Sequence, residues 1–179
     1  MKAKTNMKEE INKNLKNLIG LPLWSIGRAG SIYWFVFGNQ RRLVTMRNGK
    51  QKIVSDYSLH VQCDWRVCIQ DKPYITSRDI NYPSGDDPYK DIDNFDYDAP
   101  GGNRLEEQIA SFFKKYSDQQ LIVTSVEGNN TGDLKIQLND NVEFFIFIND
   151  SVIEEYWRFF IPYTKDKHFV VTNNGIEYH

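Results

Sequence analysis

The sequence predicts an α+β protein in which mostly antiparallel β-meander sheets pack against two amphipathic helices. Apolar residues recur with a helical period in two short segments and with a period of two through most of the remaining chain. The two halves of the chain are also similar, because each begins with a helix and continues with a series of strands. This third observation predicts an internal duplication of a helix-plus-four-strand unit, whose sheets would bury both helices on one face.

The first helix is predicted over Met7–Ile19, where apolar residues fall on one helical stripe. Asn6 and Glu9 fit an N-cap residue followed by an acidic residue at position N3. Gly20 and Pro22 end the helix, because glycine favours the residue after a helix and proline cannot continue one. The stripe gives this helix one apolar face for a sheet.

Strands follow in the first half. Ser31–Gly38 is dense in aromatic and β-branched residues and is predicted to be a buried strand. Asn48-Gly49 is a strong turn signal that joins two further strands into a hairpin, Arg42–Met46 and Gln51–Ser55. Tyr74–Ser77 is predicted to be a short strand, and Gly27–Gly30 a plain turn.

Tyr57–Ile69 shows the clearest alternation and is predicted to be one long strand. Its apolar face comprises Leu59, Val61, Cys63, Trp65 and Val67, and its polar face comprises His60, Gln62, Asp64 and Arg66. Because the two cysteines, Cys63 and Cys68, lie five residues apart in this strand, they point to opposite faces and cannot pair. They are predicted to be buried free thiols, and no metal site or cofactor is predicted.

The second half repeats the pattern. Its helix carries an apolar stripe from Leu105 to Tyr116, and Asn103 and Glu106 again fit the N-cap and N3 positions. The predicted strands are Leu121–Glu127, Asp133–Leu138, Val142–Ile148, Glu155–Ile161, Lys167–Thr172 and Gly175–Tyr178.

The predicted organisation is a helix-plus-meander half at residues 1–80, an acidic loop or linker at 81–102 and a second such half at 103–179. The two halves would form one compact domain or two lobes. Short strings support the duplication: Val36–Asn39 matches Val126–Asn129, and Trp65-Arg66 and Trp157-Arg158 follow them at similar distances. Two stretches with ordinary strand chemistry would also match in this way.

Composition excludes several classes of partner. The 22 basic and 24 acidic residues give a net charge of -2, which provides no overall attraction for nucleic acid. Apolar runs are too short for a membrane-spanning helix, and residues 1–17 lack the apolar core of a signal peptide, so a cytoplasmic protein is expected. No P-loop, nucleophile elbow or zinc-protease motif is present, and no catalytic residue is predicted.

The first candidate site is a small-molecule or anion site in a cleft between the halves. His60, Asp64 and Arg66 share one face of the predicted long strand, and Arg158 would occupy the equivalent place in the second half. His60 could act as a base, and the planar guanidinium groups suit a carboxylate or phosphate. The alternatives are a solvated sheet face and, for the arginines, pairing with an acid such as Asp79, Glu154 or Glu155.

The second candidate site is the acidic segment, residues 82–98. Residues 81–102 contain six Asp against one Lys, which gives a local charge near -5. Interleaved aromatic residues are of the types enriched in interface cores, so a basic partner protein is predicted to bind here. The residues expected to contact it are Tyr89, Asp91, Asp93, Phe95, Asp96 and Tyr97. A calcium loop is the alternative, but the spacing does not match an EF-hand; a solvated loop is another.

The strings LHVQCDWR (59–66), SRD (77–79), YP (82–83) and EYWR (155–158) resemble a family of bacterial proteins of uncharacterised function. The resemblance covers nearly the whole chain, but it implies no activity and transfers no catalytic residue. In size and charge the chain is also similar to bacterial toxin-immunity proteins.

Together these features predict a non-enzymatic protein-binding module, for which an immunity protein that masks a basic toxin is one concrete version. The alternatives are a small-molecule or anion-binding protein or enzyme, with its site between the halves, and a structural homo-oligomer. The sequence predicts no oligomeric state.

Overall fold

The computed structural model describes residues 6–39, 42–152 and 154–179. Within these ranges the helices are α1 (Met7–Leu15) and α2 (Arg104–Lys115), and two 3₁₀ helices span Lys16–Leu18 and Ser77–Asn81. The strands are β1 (Pro22–Ala29), β2 (Ile32–Phe37), β3 (Arg42–Thr45), β4 (Gln51–Val54), β5 (Tyr57–Val61), β6 (Asp64–Ile69), β7 (Lys72–Thr76), β8 (Leu121–Gly128), β9 (Leu134–Leu138), β10 (Val142–Phe147), β11 (Glu155–Phe160), β12 (Phe169–Thr172) and β13 (Gly175–Tyr178).

Eleven of these strands form one antiparallel sheet in the order β13-β12-β11-β5-β2-β1-β8-β9-β10-β6-β7. β3 and β4 form a separate two-stranded hairpin. The predicted α+β class with antiparallel sheets and two helices is therefore confirmed.

The strand order is symmetric about the β1–β8 pair. On one side lie β1, β2 and β5, followed by β11 from the second half; on the other lie β8, β9 and β10, followed by β6 from the first half. Each half thus contributes its fourth main-sheet strand to the arm begun by the other. We call the β1-β2-β5-β11 side the first arm and the β8-β9-β10-β6 side the second arm.

The duplication itself stays a prediction. Of the two string matches that suggested it, one joins equivalent positions of the two halves and the other does not. Trp65 and Trp157 hold equivalent places, because each lies on the exchanged strand, β6 or β11. Gly38 and Gly128 do not, because Gly38 follows the second strand of its half whereas Gly128 ends the first.

The prediction of one strand over Tyr57–Ile69 is wrong in one respect. The chain leaves the first arm after β5 and enters the second arm at β6, with Gln62 and Cys63 between them. The Gln62 N–H donates to the Tyr156 carbonyl oxygen (2.8 Å) at this crossing. The predicted burial of alternate residues from Leu59 to Val67 is confirmed, because the alternation continues through the break.

The sequence did not indicate β1. Its residues include those read as the end of the first helix and as a plain turn, but Pro22–Ala29 forms a strand that pairs with β2. Pro22 is tolerated because it is the first residue of the strand, where a missing N–H matters least. The turn itself centres on Gly30, whose φ is +58°.

Both helices pack on the same side of the sheet. Ile11 and Leu15 of α1 and Leu105 and Phe112 of α2 join one hydrophobic cluster with the alternate strand residues. The Asn103 side chain accepts a hydrogen bond from the Glu106 N–H (2.9 Å), so the predicted N-cap of α2 is confirmed. The reciprocal bond is absent from the described contacts, because the Glu106 carboxylate instead accepts from the Gly101 N–H (2.7 Å).

The N-cap predicted for α1 differs. Asn6 precedes the helix but makes no side-chain capping bond, and the α-helix ends at Leu15 with the 3₁₀ turn Lys16–Leu18 continuing it.

We call the sheet face opposite the helices the outer face.

α1 approaches β8 so closely that Gly128 has no room for a side chain. A Cβ atom there would lie 2.4 Å from Cγ2 of the buried Ile11. We expect Gly128→Ala to lower the free energy of unfolding by about 1–3 kcal/mol, because the inserted methyl group overpacks the core. Denaturant unfolding measures the loss.

A double-mutant cycle provides the control for this prediction. In an Ile11→Ala background the clash is relieved, so Gly128→Ala should cost clearly less than in the wild type. An equal cost in both backgrounds would contradict the proposed contact between α1 and β8.

Candidate functional site

His60 lies on the outer face of the first arm, in the middle of a row of cross-strand neighbours. It stands opposite Trp34 on β2 and opposite Arg158 on β11. Strand register therefore brings two of the four predicted ligand-binding residues, His60 and Arg158, side by side.

Arg158 is held by an acid from its own strand. Its Nε donates to Glu155 Oε1 (2.6 Å), and its Nη2 donates to Glu155 Oε2. This is the pairing with Glu155 that the sequence left open as an alternative. Its Nη1 lies 3.2 Å from Nδ1 of His168. Because a guanidinium can only donate, Nδ1 accepts, and the proton of a neutral His168 must lie on Nε2.

The surroundings of both imidazoles favour their neutral form. Burial lowers the pKa of His60, and the nearby Arg158 charge and His168 lower it further. Burial and the Arg158 charge likewise lower the pKa of His168. Burial raises the pKa of the Glu155 carboxyl, but hydrogen bonds and charge from Arg158 outweigh it, so this pKa lies below its ordinary value.

Phe160 connects the two histidines. The His168 ring stacks on it with centroids 4.2 Å apart, and the His60 ring lies nearly perpendicular to it with centroids 4.7 Å apart. The sequence did not indicate Phe160 or His168 as site residues. Trp34 was also missed, although the alternation within Ser31–Gly38 separates it from the buried Tyr33 and Phe35 and could have indicated an outer-face position.

Asp64 and Arg66 lie in the other arm, so the four predicted residues do not line one site. Asp64 begins β6 and accepts hydrogen bonds from Ser77 Oγ (3.0 Å), Arg78 Nη2 (3.1 Å) and Asn149. The separation follows from the chain crossing between β5 and β6, which a single continuous strand would not have had.

Arg66 occupies the place in the second arm that Arg158 occupies in the first. It stands opposite Phe145, and its guanidinium lies 5.0 Å from that ring and 4.7 Å from the ring of Phe147. Such cation–π contacts stabilise the stack of side chains over this surface.

The acidic segment, residues 82–98, folds as successive turns on the helix side of the sheet, and both ends are fixed. At one end, residue Pro83 forms a bridge with Asn103. At the other, Arg28 of β1 pairs with Asp98 (3.0 Å) and donates to the Tyr97 carbonyl oxygen (2.9 Å). The Arg28 side chain is only 11% exposed, whereas the side chain of its partner Asp98 is 63% exposed.

Between these anchors the segment presents acid and aromatic groups to solvent. Tyr89 and Tyr97 are 71% and 53% exposed, and Phe95 is half-buried. The side chains of Asp91, Asp93 and Asp96 are exposed, and they join none of the ion pairs among the residues that the structure describes. No three acidic, histidine or cysteine side chains in those ranges are grouped to hold a metal ion.

The cysteines are both buried and unpaired. Burial raises the pKa of Cys63 to about 12, so its thiolate is scarcely populated at neutral pH. Burial also raises the pKa of Cys68.

No family model, curated protein or solved structure matches this chain. The resemblance to a bacterial family therefore stays a prediction. Neither of the two helices within the described ranges has the length and apolar character needed to cross a membrane.

The histidine pair should make stability depend on pH. Since both pKa values are lowered in the folded state, the unfolded chain binds more protons below about pH 6.5. The stabilising contribution is complete above that pH and is lost as the pH falls through the folded-state values. Loss of the Glu155 contribution follows at lower pH, below about 4.5.

Proton NMR of the imidazoles tests this. Both midpoints should lie below 6.5, and the double variant Glu155→Gln/Arg158→Gln should raise them, because it removes the cationic neighbour without leaving an unpaired carboxylate. Arg66→Gln, at the equivalent place in the second arm, should leave them unchanged. Midpoints at or above 6.5 in the wild type would contradict the assigned environment.

Proposed function

We propose that this protein is a non-enzymatic protein-binding module whose acidic segment, residues 82–98, binds a basic partner. The observation that carries the proposal is the combination of exposed carboxylates and exposed tyrosines on a segment whose two ends are fixed. An immunity protein that masks a basic toxin is one concrete form of such a module. The free thiols of both cysteines support a reducing, cytoplasmic setting for the complex.

Charge would act mainly on the rate of encounter. The exposed carboxylates of Asp91, Asp93 and Asp96, which join none of the ion pairs among the described residues, would produce a local negative field, although the whole chain carries only -2. Such a field attracts a basic surface and disfavours acidic ones, and salt screens it over about 10 Å at 0.1 M.

The aromatic residues would slow the dissociation of the complex. Tyrosine side chains are enriched among residues that dominate binding energy, because they bury a large area at low entropic cost. Anchoring of Tyr97 through its carbonyl oxygen, which also accepts from the Asn103 side chain (2.8 Å), leaves its ring in solvent. A pre-positioned ring loses less conformational entropy on binding.

The alternatives have weaker support. A small-molecule site formed by His60, Asp64, Arg66 and Arg158 together is disfavoured, because these residues divide between the two arms. A homo-oligomer formed by pairing through the β7 edge is disfavoured by the residues of that strand. Residues Lys72 and Pro73 on β7 are of the types that discourage edge-to-edge pairing.

The triple variant Asp91→Asn/Asp93→Asn/Asp96→Asn tests the electrostatic part. Lysate from the source cell, passed over immobilised wild-type protein at low salt, should yield a basic protein that elutes at high salt. With that protein purified, the triple variant should bind about tenfold or more weakly at 50 mM salt and show a shallower salt dependence.

The matched control is Asp118→Asn/Glu154→Gln/Asp166→Asn, which changes the net charge equally at exposed sites elsewhere. It should bind nearly as the wild type does. Equal binding by the acidic-segment variant at low and high salt would overturn the proposal.

Tyr89→Ala and Tyr97→Ala test the aromatic part. Each should weaken binding of the purified partner by about 1–2 kcal/mol, chiefly through faster dissociation. Because both side chains are largely exposed, the midpoint of denaturant unfolding should stay within experimental error. Unchanged dissociation rates in both variants would place the interface elsewhere.

A further inference from the structure

The outer face of the first arm carries a groove of about 640 Å³, which we call the aromatic groove. Its floor includes Trp34, His60 and Phe160, and its sides include Ile53 of the β3–β4 hairpin, Tyr163 and His168. A volume in this range is typical of small-molecule pockets. The groove lies on the face of the sheet opposite the acidic segment.

The floor is built around a glycine. A Cβ atom on Gly27 would lie 2.5 Å from Cε2 and Cζ2 of the Trp34 indole, so the ring lies directly against the β1 backbone. Only glycine permits this placement of the ring. Trp34 is therefore fixed as a flat, partly exposed surface.

One wall is also held in place. Arg42, at the base of the β3–β4 hairpin, donates to the carbonyl oxygens of Pro162 (3.0 Å) and Ser55 (3.4 Å). This arginine fastens the hairpin to the loop that follows β11, and both segments line the groove. The hairpin thus closes one side of an otherwise flat sheet surface.

The polar groups around the groove suit an anion. No described acidic residue lines it, and Lys52 stands at its rim. The Nδ1 atom of His168 accepts a hydrogen bond from Arg158. The Nε2–H of this ring is therefore the free donor, without a partner among the described residues. The Glu155 carboxylate, which lies close to this cluster, is paired with Arg158.

We propose that the aromatic groove binds a small planar aromatic molecule that carries one anionic group. The ring system would lie against Trp34 and Phe160, where flat side chains favour stacking. The anionic group would accept a hydrogen bond from His168 and would be attracted by Lys52. No described acidic residue in the lining would repel it.

The equivalent surface of the second arm is covered by side chains, which confines the proposed site to the first arm. At the position equivalent to His60 stands Phe145, and Arg66 covers both Phe145 and Phe147. That surface is already occupied by the chain's own side chains. Phe145 is therefore a matched control position.

Three probes that share a naphthalene ring and differ in charge test the proposal: 2-naphthoate, 2-naphthamide and 2-naphthylmethylammonium. Titration calorimetry and quenching of tryptophan fluorescence measure their binding to the full chain. We expect naphthoate to bind at least tenfold more tightly than the amide, and the ammonium probe to bind most weakly. Equal affinity for all three, or no naphthoate binding at millimolar concentration, would overturn the proposal.

Variants locate the probe. Lys52→Gln and His168→Gln should each reduce the preference for naphthoate over the amide about threefold or more. Gly27→Val should weaken both probes at least tenfold by displacing Trp34, and the two polar variants keep the test valid if this one fails to fold. Phe145→Ala should leave both affinities unchanged.

The acidic-segment triple variant separates this proposal from the proposed function, because it should bind naphthoate as the wild type does. A loss of binding in Phe145→Ala equal to that in Lys52→Gln would show that the probe lies outside the aromatic groove.

Discussion

The exchange of strands β6 and β11 between the two arms is the constraint on which the rest of the structure depends. The central seam between β1 and β8 is short: it has two residue pairs, Pro22↔Ile122 and Leu23↔Leu121, and backbone hydrogen bonds of Val123 with Gly20 and Leu21 extend it. Within each arm the exchanged strand joins the two sequence halves, by six pairs between β10 and β6 and by four between β11 and β5. Since backbone groups in a sheet must find partners, neither half could complete its arm alone. The two sequence halves are thereby interlocked in one sheet.

The exchange also explains why equivalent positions carry different chemistry. Arg66 and Arg158 each face the third strand of the other half, but their cross-strand neighbours are Phe145 and His60. A guanidinium next to two phenyl rings makes cation–π contacts and covers them. A guanidinium with Glu155 on its own strand is drawn toward the carboxylate instead, and the floor near His60 stays open. The different neighbours of two equivalently placed arginines thus contribute to a filled surface in one arm and a groove in the other.

The spacing of apolar residues predicted which strand residues are buried, but it did not predict which strands pair with each other. Alternation from Leu59 to Val67 correctly predicted which side chains are buried, because a period of two reports the face of a strand wherever that strand pairs. It could not show that pairing changes at Gln62 and Cys63, so His60 and Asp64 were expected together and lie in different arms. Strand β1 was missed because Pro22 and Gly27 are turn formers by composition, and their roles come from tertiary contacts.

Two consecutive residues of that missed strand support both candidate surfaces. Gly27 allows the Trp34 indole to form the floor of the aromatic groove on the outer face. Arg28 points to the opposite face, where it holds Asp98 and the Tyr97 carbonyl oxygen of the acidic segment. Because neighbouring residues of a strand alternate between faces, this assignment needs no other element. The β1–β2 hairpin therefore positions a negative surface on one side of the sheet and an apolar groove without described acids on the other. A net charge of -2 hides this separation, since it averages over faces that a partner meets one at a time.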